Sequence, residues 1–286
     1  MSHSMRTDGT AVETRSGPAP ARVRDLVGYG ALVVAPHPDD EVLGCGGLIA
    51  ANERPDAIDV LVVTDGALSP PGLAGDPDLP ARRRAESERA LRSLGLGGDR
   101  VRFLGLPDGG LPGLDSRLDG ELGDAVHRTA ATDVFVPFRF DRHPDHLAVH
   151  AAGERLLRRT GIRLWEYFVY PRWRLLPRGD VRRHLGRGST VALHLSEAAR
   201  TAKRAALEEY VSQATTFAEG QGRPVLSPAF LDWMCDGPEI FLRYEVGRTG
   251  GAVLGRAGWW FHVVRRIEPP LKRTADAVRR RFGGRP

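Results

Sequence analysis

Cysteine is nearly absent: Cys45 and Cys235 are the only two in 286 residues. They lie far apart and form no CxxC pair, which argues against a disulfide scaffold or a zinc finger and for a reduced compartment. No apolar run approaches the length of a membrane span, and Met1 to Pro20 lacks the continuous apolar core of a secretion signal. A soluble, cytoplasmic protein is expected. No internal repeat and no RNA- or DNA-binding motif is visible, so nucleic acid is not an expected partner. The Gly44-Cys45-Gly46-Gly47 run lacks the Lys-Ser/Thr ending of a phosphate loop. Close helix packing is the expected use of these small residues, Cys45 included.

Acidic residues are scarce in one place only. From Val246 to Pro286 ten Lys/Arg face Glu268 and Asp276, a net charge of +8. The chain as a whole carries +5, so everything before Val246 sums to −3. The basic excess therefore belongs to a tail and describes a surface, not the fold.

With 41% apolar residues the chain can build a sizeable core. Strand-like runs recur at Ala31–Ala35, Ile58–Thr64, Val101–Leu106, Val134–Phe138, Leu164–Tyr170 and Thr190–Leu195, and Glu239–Glu245 alternates like a final edge strand. Helix-like stretches lie between several of them, at Val42–Asn52, Leu79–Leu94, Leu118–Thr129 and Pro144–Arg159. A longer one runs from Ser196 to about Gln213. Strands alternating with amphipathic helices predict an α/β fold: a Rossmann-like three-layer sandwich with a mainly parallel central sheet. Residues 1–21 are expected to be disordered, 22–246 to form the folded domain, and 247–286 to be a basic tail with an amphipathic helix.

The chemistry concentrates where two strands end. Ala31–Ala35 stops at Pro36, and His37, Asp39, Asp40 and Glu41 follow at once, ahead of a helix start. Val134–Phe138 leads similarly into His143-Pro144-Asp145-His146. Each cluster alone admits a plainer role. The acids could cap a helix and favour its positive end, and the histidines could sit on a loop surface. Two His-Pro-Asp clusters, each at a strand end, are harder to dismiss together. His37, one of Asp39 and Asp40, and His146 give two imidazoles and a carboxylate, a set suited to a catalytic divalent metal. His37 and Asp40, three apart, can point the same way across a tight turn, while Asp39 can face a water acidified by the metal. His146 with His150, four residues on, is a weaker ligand pair, and His127, His184, His194 and His262 lack a metal-like context.

The chain resembles the LmbE/PIG-L family of zinc-dependent N-acetylglucosaminyl deacetylases. Ala35-Pro36-His37-Pro38-Asp39-Asp40-Glu41 matches the family's first signature, with Pro36 where many members have Ala, and His143-Pro144-Asp145-His146 matches the second. Lesser agreements follow in family order: Thr64-Asp65-Gly66, Arg83-Arg84-Ala85-Glu86, Leu104 to Gly109, Ser212-Gln213 and Ile240 to Tyr244. The resemblance implies Zn2+, or another divalent metal such as Fe2+, on His37, Asp40 and His146. It makes Asp39 the general base, His143 the oxyanion stabiliser or proton donor, and Asp145 the residue that orients His143. Arg83 and Asp108 fall where members contact or frame the sugar. The branch acting on glucosaminyl-inositol has Tyr two residues before His143, where this chain has Asp141.

The expected activity is therefore removal of an N-acetyl group from an acetamido sugar or glycoconjugate. One alternative is an amidase acting on another sugar-linked amide, such as a thiol conjugate or an acylated antibiotic glycoside. The alternative from another class is a non-catalytic sugar-binding or surface-docking protein. Trp259, Trp260, Phe261, Val263, Val264 and Ile267, beside Arg265 and Arg266, could make weak membrane-surface contact. A packing helix with a solvated basic end is the plainer reading of that stretch.

Overall fold

The computed structural model describes residues 18–186, 190–219, 221–248, 253–254 and 258–268. The disorder expected for 1–17 and the basic end at 269–286 lie outside these residues. In chain order the elements are β1 (Ala19–Ala21), α1 (Val23–Val27), β2 (Ala31–Ala35), α2 (Asp40–Ala50), β3 (Ile58–Thr64), α3 (Leu79–Ser93), β4 (Val101–Leu106) and α4 (Asp115–Thr129). There follow β5 (Asp133–Pro137), α5 (Pro144–Thr160), β6 (Arg163–Tyr167), β7 (Thr190–Leu193), α6 (Glu197–Glu208), α7 (Val211–Ala214), α8 (Pro228–Cys235) and β8 (Glu239–Arg243). The strands form one eight-stranded sheet in the order β1-β7-β8-β6-β5-β2-β3-β4. All pairings are parallel except the two that β8 makes. The mainly parallel α/β sandwich expected from the strand–helix alternation is what forms.

Its topology decides where the chemistry sits. From β2 the chain proceeds through β3 to β4 on one side, then crosses to β5 and β6 on the other. The order reverses between β2 and β5, which pair directly, Ala31 beside Asp133. A crevice opens beyond the carboxyl ends of strands at such a reversal, because the two connections leave in opposite directions. His37 follows β2 and His143 follows β5. Two apolar layers sandwich the sheet: Val33, Phe135 and Tyr167 face α2 and α6, while Leu32, Val34 and Val134 face α4 and α5.

Several expectations are corrected. Glu239–Glu245 is not an edge: β8 lies between β7 and β6, and its antiparallel direction explains an alternation that read as an edge strand. Residues 19–21, placed in the disordered segment, form β1 and pair with β7. The long helix to Gln213 breaks at Tyr210, whose backbone leaves helical angles so that its buried hydroxyl can reach Glu41. In the segment after 246, Val253, Leu254, Phe261 and Val264 are buried against Phe138, Phe168 and Trp173.

The glycines of α2 are a packing device. A Cβ on Gly44 would fall 2.1 Å from the Tyr167 ring, and one on Gly47 would fall 2.4 Å from Leu195. Gly44→Ala is expected to lower stability by about 1–3 kcal/mol through overpacking, measured by thermal or denaturant unfolding. A melting curve matching that of the parent protein would refute the close approach. Cys45, buried in the same helix, has its thiol pushed well up by burial, so packing is its role.

Candidate active site

Three donor atoms converge at the reversal. Asp40 Oδ2 lies 3.1 Å from His37 Nδ1 and 3.1 Å from His146 Nε2, and the two nitrogens stand 3.3 Å apart. Ligand atoms at zinc-like bond lengths around a tetrahedral centre stand about 3.3 Å apart, so the triangle has the edges of a metal polyhedron. Two neutral imidazoles and a carboxylate are also the chemistry of a divalent-metal donor set. His143 offers a further nitrogen within 4.8 Å of those of His37 and His146.

Local sequence builds each corner. The backbone N–H of His37 donates to Asp40 Oδ2 at 2.9 Å, closing the tight turn that brings ring and carboxylate together. His146 is fully buried in the first turn of α5, which Pro144 starts and His143 caps. Burial opposes ionisation of Asp40, but His146 and His37 outweigh it and hold its carboxyl well below the usual range. Burial likewise opposes charge on His146, and Asp40 and Asp141 reverse this to about 9. His37 is raised well above its ordinary value against the same burial penalty, by Asp108, Asp145 and Asp40. The cluster stabilises positive charge at its centre, the preference that a cation satisfies.

Asp39 stands beside the triangle in a strained conformation, with φ at 117° on a residue that is not glycine. Its buried Oδ2 accepts from Arg83 Nη2 at 3.1 Å. Glu41 Oε2 accepts from the Asp39 backbone N–H at 3.0 Å, while Glu41 Oε1 receives the hydroxyls of Ser87 and Tyr210. Burial, with Asp40 and Glu41 adding to it against Arg83, pushes the Asp39 carboxyl up to about 8.

The remaining expected residues fall around the same crevice, with different neighbours from those the resemblance implied. Arg83, placed at the sugar, is only 2% exposed, and it spends its guanidinium on Asp39 and the carbonyls of Pro38 and Gly66. It holds Asp39 from below. Asp108 Oδ1 is 3.2 Å from His37 Nε2, and its Oδ2 accepts from Leu68 N. Asp145 does not hold His143 through its carboxylate, which is 4.0 Å away. That carboxylate is drawn to the backbone N–H groups of Gly109 and Leu111 and to His37 Nε2 at 3.1 Å. Asp145 orients His143 through its backbone N–H instead, donating to Nδ1 at 3.2 Å. His150 lies away from the triangle, 3.0 Å from Glu166, which also holds Arg139.

Two residues escaped sequence reasoning. Asp141 registered only as a departure from the inositol-acting branch, yet its Oδ1 is 3.3 Å from His146 Nδ1, behind the triangle. It also accepts from the backbone N–H of His143. A carboxylate on the far nitrogen of a ligating imidazole fixes its orientation. Its position in a strand-end loop two residues before His143 was the available signal. Tyr170 lines the crevice with its ring 5.6 Å from that of His146 and had no sequence signal beyond its place after β6.

Residues 32–157 match the family described as PIG-L: GlcNAc-PI de-N-acetylase. A curated relative, 2'-N-acetylparomamine deacetylase of Streptomyces fradiae, is 37% identical over 140 residues, 42% of this chain and 50% of that protein. The probable N-acetyl-alpha-D-glucosaminyl L-malate deacetylase 2 of Bacillus subtilis (strain 168) is 31% identical over 134 residues, covering 44% of this chain and 58% of that protein. The matched part thus spans between half and three fifths of the length of these curated relatives. Among solved structures, the A40926 pseudoaglycone deacetylase Dbv21 superposes with a TM-score of 0.58 at 26% identity. That match covers 75% of this chain and 96% of the other, well beyond the PIG-L segment itself.

Proposed function

We propose that the protein is a metal-dependent N-deacetylase of an acetamido sugar or glycoconjugate. The observation that carries this is the His37–Asp40–His146 triangle with Asp39 strained beside it. The deacetylase activities named for the relatives from Streptomyces fradiae and Bacillus subtilis support the substrate class.

His37, Asp40 and His146 would hold the cation, with zinc the metal that the donor set suits best. When bound, it supplies Lewis acidity toward the amide carbonyl and the attacking water. The chain supplies the rest. Arg83 occupies Asp39 Oδ2, so Oδ1, in the ionised carboxylate that prevails above about pH 8, is the atom left to take a proton from that water as the new C–O bond forms. His143 Nδ1 accepts from the Asp145 N–H, so its proton resides on Nε2. Burial, with His37 and His146 beside it, keeps the His143 ring below its ordinary pKa and therefore neutral near pH 7. Its Nε2–H then donates to the oxyanion of the tetrahedral intermediate. As the C–N bond breaks, the amine takes the proton that Asp39 Oδ1 gained from the water, and acetate is released. The working unit extends past 246, because Glu268 meets Arg142, next to His143, at 2.9 Å.

The test is acetate release from a panel of acetamido sugars, 2'-N-acetylparomamine among them, before and after exhaustive chelation. Release abolished by the chelator and restored by Zn2+ or Fe2+ is the expected result. Release untouched by chelation would sink the metal assignment; no release from any acetamido sugar by metal-loaded protein would sink the substrate class.

A further inference from the structure

The proposed chemistry leaves one feature unused. The helix over 258–268 has an inward face, where Phe261 and Val264 join the cluster around Phe138, Phe168 and Trp173. Glu268 on that face meets Arg142 Nη2 and the Leu175 N–H. The outward face carries Trp259, Val263 and Ile267 at i, i+4 and i+8, with Trp260 beside them. A helix packed on a globular body ordinarily turns polar residues outward; this one exposes Trp259, Trp260 and Ile267 among His262, Arg265 and Arg266. Trp259 is 73% exposed, Ile267 44% and Trp260 39%. Leu175, 44% exposed, adjoins them, since its carbonyl accepts from Trp260 Nε1 at 3.0 Å. Isolated exposed apolar side chains need no explanation, but a contiguous group does.

Charge identifies what covers this patch. Arg265 and Arg266 are exposed on the same helix, and Lys272, Arg273, Arg279, Arg280, Arg281 and Arg285 follow with Asp276 the one acid among them. Tryptophan and aliphatic side chains on one helix face, with arginines beside them, suit the boundary between headgroups and acyl chains of an anionic bilayer. Nucleic acid would use the charge but leave Ile267 and Leu175 in water. A second copy of the chain would bring two strongly basic segments together. We propose that the 258–268 helix docks on an anionic lipid surface, with Trp259, Trp260, Ile267 and Leu175 entering at headgroup depth and Arg265 and Arg266 meeting lipid phosphates. No described helix is long and apolar enough to cross a membrane, so the contact is one of lying on the surface. This inference does not depend on the deacetylase reading, because its readout is binding.

The experiment is co-sedimentation of the full chain with vesicles of phosphatidylglycerol and phosphatidylcholine, against vesicles of phosphatidylcholine alone. Strong partition to the anionic vesicles is expected, with about a tenfold or greater loss in a Trp259→Ser/Ile267→Ser variant. Both side chains are largely outside the core, so an unchanged melting curve checks the fold. Quenching of tryptophan emission by acyl-brominated lipids reads insertion in the unaltered protein, whatever the variant does. Absence of anionic-vesicle binding overturns the proposal, as does undiminished binding by the folded variant. Binding of duplex DNA, or dimerisation through the patch, in place of vesicle binding overturns it equally.

Discussion

Asp39→Asn protein is expected to keep its metal and lose deacetylase turnover by about 10²–10⁴-fold, the usual worth of a positioned general base. The substitution keeps the shape of the side chain and an oxygen for Arg83, which meets Asp39 Oδ2 at 3.1 Å. Asparagine, like aspartate, is among the residues that tolerate positive φ, so the 117° backbone need not relax. What disappears is the capacity to take a proton. Turnover should be measured on protein whose metal content has been determined, because a fall in both would point to a disturbed triangle instead. An Asp39→Asn enzyme with parental turnover would remove Asp39 from the role of base.

Lys203→Met is expected to be strongly destabilising. Lys203 is buried in α6, with Nζ 2.7 Å from Glu239 Oε1 and 2.9 Å from the Leu43 carbonyl. Glu239 in turn accepts the backbone N–H groups of Gly47 and Leu48. The pair thus clips α2, the helix that delivers Asp40, to β8 and α6. Removing the lysine strands a buried carboxylate, at a cost of about 3–5 kcal/mol, which corresponds to a fall of roughly 6–20 °C in melting temperature for a chain of this size. A Lys203→Met/Glu239→Gln double variant should recover part of that loss, since no lone charge remains. Calorimetric melts of the single and double variants decide. A single-variant loss below about 1 kcal/mol would mean that water reaches the pair.

The fold was legible because its strands are apolar runs bounded by loop residues, and three of them (β2, β3 and β4) have the bounds their composition implies. The site was half legible. His37, Asp40 and His146 could be collected from sequence because each lies in the loop or first helical turn that follows a strand. Partners that meet only through the tertiary fold were not legible. Arg83, which the resemblance sets at the sugar, is buried and gives Nη2 to Asp39, a partner that only the tertiary fold reveals. Glu41 reads as a helix-start acid, although Ser87 and Tyr210 make it the support for the Asp39 backbone. Asp145 was given the nearer imidazole in sequence, whereas its carboxylate follows the loop N–H groups toward His37. Glu86 and Ser212, remote agreements that meant little separately, are one hydrogen-bonded joint between α3 and α7.

The pairing of β2 with β5 has a consequence for how such a chain comes into being. His37 and His146 are 109 residues apart, and the intervening β3, α3, β4 and α4 must be made before β5 can take its place. A growing chain that has exposed only its first cluster offers a weak, two-point grip to any cation. The tight grip arises in one step, when β5 docks and α5 starts. On the metal-dependent reading proposed above, capture of the cation would act as a lock on a register already won, adding its binding energy to the finished sheet and none to the half-made one.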